Sequence, residues 1–274
     1  MFSKAYKIAT QYTFPLIISN RFYDNTVESG LGSFVIINNE GWFITAAHVL
    51  QGLQQHQQHQ REILAFQNTK TADLVANPKW ILNHSMWFAA DSHRVKEFHV
   101  LSENDLAIGK IENFNPQFVK NYPIFKHPKN IEPGTSLCKL GYPFYDLKAK
   151  FIDNTKSFSF DSTAFPIPSF PMDGMMTRNV ITGKSPDNMY EYKWIETSSP
   201  GLRGQSGGPT FDRDGKIWAI QSKTMHLPLG FSPKIIKNGI EIEENQFMNV
   251  GLGAHVETIL KFLDFYKVKY QLEV

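Results

Sequence analysis

Apolar positions along the chain fall in short runs, each closed by Gly, Pro, Asn or a charged turn. They are YTFPLII from Tyr12, GSFVIIN from Gly32, GWFITAA from Gly41, NDLAIGKI from Asn104, TSLCKLGYP from Thr135, YKWIET from Tyr192, KIWAIQSK from Lys216 and NVGLGAHV from Asn249. Many short strands at such spacing predict an all-β protein, a sandwich or barrels. Asn38-Asn39-Glu40-Gly41 and Asp212-Arg213-Asp214-Gly215 each stand between two runs, with Gly ending a polar turn, and predict two β-hairpins. Helical spacing is clear only near the end. There Val256, Ile259, Leu260, Leu263 and Tyr266 recur at three- and four-residue steps and predict an amphipathic helix on the last strand.

Three stretches break the pattern. QGLQQHQQHQRE from Gln51 is polar and reads as a solvated helix or loop. Its His56 and His59 do not make a metal pair, because no further ligands cluster nearby and structural zinc needs four. The segment from Phe144 to Lys193, with FPIPSFP at its centre, carries prolines that forbid regular strand pairing, so it reads as an insertion around one strand near MMTRNVITG. Between Asn113 and Pro133, the prolines 116, 123, 128 and 133 mark a linker, which divides the chain into units of residues 1–125 and 126–274.

Composition narrows the function classes. A chain of 274 residues with 42% hydrophobic and 20% charged residues has the makings of a globular core. Its formal charge of +2 comes from interspersed acids and bases, with no basic block, so neither a nucleic-acid partner nor a membrane surface is expected. The single cysteine, Cys138, cannot close an internal disulfide, and no signal-like segment opens the sequence; a reducing, cytoplasmic setting is the expectation. Cys138 itself, in SLCKL, reads as core.

Chemistry concentrates in GLRGQSGGPTF, residues 201–211, where glycines bracket Ser206. Glycine costs backbone entropy, so such a run implies a tight turn or a close approach beside a potential nucleophile. Serine needs an imidazole to take its proton and a third group to orient that imidazole. Among nine histidines, His48 follows the strand-like GWFIT and the small Ala46 and Ala47; Asp105 stands at the mouth of the apolar LAIGKI, where a carboxylate needs a donor. GQSGG also fits the G-x-S-x-G elbow of esterases, but that elbow opens a helix and precedes its acid and histidine. Here Gly207, Gly208, Pro209 and a turn follow, which is strand, turn, strand.

FITAAHV, NDLAIGKI and GQSGGP, in that order, resemble the three signature segments of the chymotrypsin-like serine proteases. Within that family the chain is most similar to the Deg, or high-temperature-requirement, type and to related intracellular trypsin-like domains. The resemblance implies two six-stranded antiparallel β-barrels, over about residues 10–120 and 130–255, with a C-terminal helix. It implies a serine endopeptidase without a cofactor or metal, acting on a protein or peptide substrate through His48, Asp105 and Ser206. The N–H groups of Gly204 and Ser206 would form the oxyanion hole. Pro200, Gly201, Leu202, Gln221, Ser222, Lys223 and Gly251 would line the substrate site, with the substrate extended along AIQSK. Pro200 stands about where an acid would select Arg or Lys, so a small or medium apolar residue is expected before the cut. Gln205 replaces the Asp that pairs with a newly cut N-terminus in digestive members, which puts zymogen activation in doubt and points to the Phe/Pro-rich insertion as a surface for a regulatory protein. The alternative in a different class is a protease fold that is catalytically silent or partner-activated and serves as a peptide-binding module.

Overall fold

The computed structural model describes residues 1–69, 75–89, 94–188, 191–243 and 246–274. The chain is mainly β, as its apolar rhythm predicts, and its strands gather into two principal sheets. The first takes β1 (Thr13–Phe22), β2 (Val27–Ile36), β3 (Trp42–Ala46), β4 (Ile81–Phe88), β5 (Val95–Leu101) and β6 (Leu106–Ile111) in the order β4-β1-β2-β3-β6-β5. All of its pairings are antiparallel. Among the described residues β4 and β5 do not pair, so this sheet curls into a half-barrel and stays open. Its inner face is aromatic: Phe34 meets Phe43 and Phe88 edge-on at 5.8 and 5.0 Å, all three fully or almost fully buried.

The second sheet takes β7 (Ile124–Phe125), β8 (Ser136–Gly141), β11 (Phe170–Lys184), β12 (Glu191–Thr197), β13 (Pro209–Phe211), β14 (Ile217–Pro228), β17 (Phe247–His255) and β18 (Gln271–Leu272); β9 (Ala149–Ile152) pairs with β10 (Ser157–Phe160), and β15 (Lys234–Lys237) with β16 (Ile240–Glu243). Six of these strands run β13-β8-β11-β12-β17-β14, and β14 pairs back onto β13, which closes the ring. Closure removes the exposed edges that an open sheet leaves. β7, within the expected linker, adds to this sheet parallel to β14. Both predicted hairpins are present. In each, an Asx side chain accepts backbone N–H groups across the turn (Asn38 from Glu40, Asp212 from Asp214 and Lys216) before a glycine with positive φ.

Among the described residues three α-helices join the sheets. The predicted amphipathic one is α3 (Val256–Phe265), which buries Val256, Ile259, Leu260, Phe262 and Leu263. It packs against β12, β14 and β17. α2 (Gln51–Asn68) is the Gln/His-rich stretch in helical form, with Ile63 as its one buried residue. α1 (Ser3–Ala9) was not apparent from the pattern; it buries only Ala5 and Ala9. It leans on the second sheet, with Phe2 edge-on to Phe211 and the Tyr6 hydroxyl 2.9 Å from that of Ser169. The insertion holds more than the one strand expected: the β9–β10 hairpin precedes the long β11. No helix among the described residues is long and apolar enough to cross a membrane.

Candidate active site

His48 lies in the short 3-10 turn Ala47–Leu50 that follows β3, a strand buried at every position. Asp105 sits just before β6 with φ +46°, the left-handed region that Asp tolerates better than most residues. That turn brings it back onto His48. The Asp105 carbonyl accepts the Ala47 N–H at 2.9 Å, Oδ1 accepts the His48 N–H at 2.8 Å, and Oδ2 lies 2.7 Å from His48 Nδ1. The backbone and the ring are thus held by one carboxylate, which fixes the tautomer with its proton on Nδ1 and leaves Nε2 to accept. The ring is nearly half exposed, the carboxylate one-fifth.

A second donor reaches the same carboxylate: the Ser222 hydroxyl, at 2.5 Å from Oδ2. Ser222 falls where the β14–β17 register shifts, between Gln221 and Lys223. Such a bulge re-aims a side chain, here toward Asp105. Burial opposes ionisation of Asp105. The hydrogen bonds from His48 and Ser222, together with the nearby imidazole charge, outweigh it and hold the carboxyl below its ordinary value.

Ser206 lies in the turn between β12 and β13. Its Oγ donates to the Ser222 carbonyl at 3.1 Å, and no hydrogen bond joins it to the His48 ring. The structure therefore brings all three sequence-predicted residues to one seam, with Ser222 linking the serine to the His–Asp pair. The turn itself is stitched to the first sheet: Ser33 donates its N–H to the Ser206 carbonyl at 2.8 Å and its hydroxyl to the Gly204 carbonyl at 2.7 Å. Gly204 has φ +98°, and a Cβ there would run into the Tyr142 carbonyl; Gly207 has φ +86° and a Cβ would strike the Ser33 carbonyl. Both reasons for glycine operate at once, positive φ and close approach. In this conformation neither the Gly204 nor the Ser206 N–H is used by another group among the described residues. Gln205, fully buried, braces the loop from inside, accepting the Leu202 N–H at 3.0 Å.

The expected substrate-site residues lie on two neighbouring segments, residues 199–202 ahead of Ser206 and residues 221–223 of β14, with Gly251 of β17 paired to Thr224. The Thr224 hydroxyl, not anticipated, crosses between them, accepting the Gly201 N–H at 2.8 Å and donating to the Gly201 carbonyl at 2.6 Å. A cation lies buried beside these segments. Lys139 of β8, 1% exposed, donates from Nζ to the Ser199 and Pro200 carbonyls at 2.5 and 2.9 Å. Its only sequence signal is a lone cation inside the apolar SLCKLG. Gly204 also borders a cavity of about 390 Å³ that opens among Leu31, Tyr142, Phe144, Tyr145 and Arg203.

His56 and His59 are spent elsewhere. His59 Nδ1 accepts the Ile81 N–H at 3.0 Å, and His56 Nδ1 lies 3.2 Å from the Ile81 carbonyl. No group of three or more metal-ligating side chains occurs among the described residues.

Two β-units that bring an aspartate-held imidazole and a glycine-bracketed serine to their seam define the trypsin-like fold. The trypsin-like peptidase domain family matches residues 32–220, more than half of the chain and a span that takes in His48, Asp105 and Ser206; the chain belongs to that family. No curated protein matches it.

Proposed function

We propose that the chain is a serine endopeptidase in which His48, Asp105 and Ser206 act as a catalytic triad. The observation that carries this reading is the doubly held His48–Asp105 pair beside a serine flanked by two uncommitted N–H groups. Rotation of the Ser206 side chain frees Oγ from the Ser222 carbonyl to bond the ring; apo geometries of such pairs are often loose. Oγ then attacks the scissile carbonyl while Nε2 of His48 takes its proton, and the resulting imidazolium is stabilised by Asp105. The carbonyl oxygen gains the negative charge and accepts the N–H groups of Gly204 and Ser206. Each such donor is typically worth on the order of 100- to 1000-fold in rate. As the C–N bond breaks, the imidazolium gives the proton to the leaving amine. Water, deprotonated by the same ring, then releases the acyl group from Ser206.

Substrate lies extended beside about residues 221–223 of β14, its pairing beginning after Gln221, whose N–H and carbonyl are already bonded to Gly208 and Gly207. Gln205 needs no ionic partner to hold its loop, which favours an oxyanion hole set without a cut N-terminus. One observation favours a latent or silent form: in this conformation the Ser206 hydroxyl and the Thr224 hydroxyl are both bonded within the site. A fluorophosphonate probe decides between the two. The expected outcome is one adduct by intact mass, on Ser206, absent in Ser206→Ala and strongly slowed in His48→Ala. A folded wild-type protein that takes up no probe supports the binding-module reading instead.

A further inference from the structure

Lys139 presents an unusual electrostatic situation. Its ammonium is buried, and among the described residues no carboxylate pairs with it; its two hydrogen-bond acceptors are the neutral carbonyls of Ser199 and Pro200. An ammonium has three donors, so one remains. A cation buried without a counter-charge is costly, and burial here pulls the lysine down to about 7. Nζ packs against Gly251, where a Cβ would collide with it, so the ammonium fits there only because residue 251 is glycine. Ser199 Oγ and Gln221 Oε1, on the two segments beside it, are also buried without a partner; Gln221 is 1% exposed. Buried polar atoms are nearly always paired, so an unpaired hydroxyl and an uncompensated ammonium together mark a place where a ligand completes the bonding.

We propose that Lys139 makes this pocket select a carboxylate side chain, Asp or Glu, at the residue preceding the scissile bond. The inference rests on the reading of the chain as a peptidase whose substrate lies along residues 221–223. The incoming side chain displaces the Thr224 hydroxyl from Gly201 and passes between the two segments. Its carboxylate accepts the free N–H of Lys139 and the Ser199 hydroxyl, which supplies the missing counter-charge through charge-assisted bonds. The neutral amides of Gln and Asn are the rivals, because they too could accept from Lys139 and could donate to Gln221 Oε1. Charge separates them: only the carboxylate neutralises the ammonium.

The test uses peptides identical except for Glu, Gln, Asp, Asn or Ala before the cut. Wild-type protein is expected to favour Glu over Gln, or Asp over Asn, by about tenfold or more in kcat/KM, a difference of roughly 1.4 kcal/mol. The same order is expected in peptide affinity for Ser206→Ala, which reads the pocket without cleavage. Lys139→Met, of similar length and without charge, should bring the Glu/Gln ratio toward one. A ratio near one in wild type, or one that Lys139→Met leaves unchanged, overturns the inference while peptide cleavage itself upholds the proposed function. If no peptide is cleaved and no probe labels Ser206, the proposed function fails, and the affinity comparison alone then decides the inference. The wild-type comparison needs no variant, so a misfolded Lys139→Met does not blunt it.

Discussion

At the scale of single residues, the site depends on how few groups hold many. Asp105 accepts from a backbone N–H, an imidazole and a hydroxyl, and its left-handed turn is what lets one carboxylate face all three. Lys139 offers a separate handle through pH. Burial has lowered it to about 7, and among the described residues the titratable neighbour acting on it is the Cys138 thiol, itself pushed up to about 12 by burial and by Asp173. Protonated lysine is the selective form, so preference for Glu over Gln should be largest below about pH 7 and decline above it. Both substrates use the same catalytic groups, so the ratio of their kcat/KM values isolates the pocket. Measuring that ratio across neutrality checks the point; a flat profile would place the selectivity elsewhere. His48, Asp105 and Ser206 were legible in the sequence because each sits in a distinctive local context. Lys139 and Thr224 were not, since their significance lies in what faces them across the pocket.

At the scale of elements, polar segments prove to be fasteners. The Gln/His-rich α2 looked purely solvated, yet His59 and Gln60 bond to the backbone of Ile81 and Leu82 at the edge strand β4. An edge strand left bare invites pairing with other chains, so this helix covers part of it with side-chain bonds. The last strand, β18, is secured by Glu273. Its carboxylate accepts from Lys126 and Lys216 Nζ at 3.0 and 2.6 Å, and from the His127 N–H and Asn130 amide at 3.2 Å each. Burial works against its ionisation, but these bonds outweigh it and bring the carboxyl from 4.5 down to about 2. A folded value below the unfolded one means stability that is complete above about pH 4.5 and lost as pH falls through 2. Glu273→Gln should therefore cost about 1–3 kcal/mol at neutral pH and flatten the acid limb of the unfolding curve, read by denaturant melts at several pH values. A mutant with an unchanged acid limb would show the tail to be incidental.

Taken whole, the molecule does not divide cleanly into two independent halves. One continuous apolar cluster runs from Ala5 and Phe34 through Phe125 and Phe211 to Leu263. The N-terminal segment belongs to both units: β1 builds the first sheet, while α1 and Tyr12 contact the second, the Tyr12 hydroxyl donating to the Gly215 carbonyl at 3.1 Å. Removing that buried bond strands a carbonyl, so Tyr12→Phe should lower stability by about 1–2 kcal/mol. Because the cores are continuous, thermal unfolding of the variant should still be one transition, shifted down by a few degrees. Two resolved transitions in calorimetry would mean the sheets unfold separately. Catalysis as proposed also needs this continuity, since His48 and Asp105 come from one sheet and Ser206 and Ser222 from the other.

The sequence by itself determined the β class, the two Asx-Gly hairpins and the terminal amphipathic helix, and it singled out the three residues proposed as a triad. Each is a local matter: periodicity follows from how side chains alternate along a strand or recur on a helix, turns follow from which residues tolerate positive φ, and the motifs are contiguous. Tertiary structure alone decided which sheet closes into a ring, that β11 and a separate hairpin fill the insertion, and that α1 and β18 tie the ends of the chain to the second sheet. It also decided the chemistry of the pocket. The meeting of Lys139 with Ser199, of Thr224 with Gly201 and of Ser222 with Asp105 spans from 23 to 117 residues of chain. No local pattern encodes such distances; they follow from sheet register and from the glycines that let backbones approach.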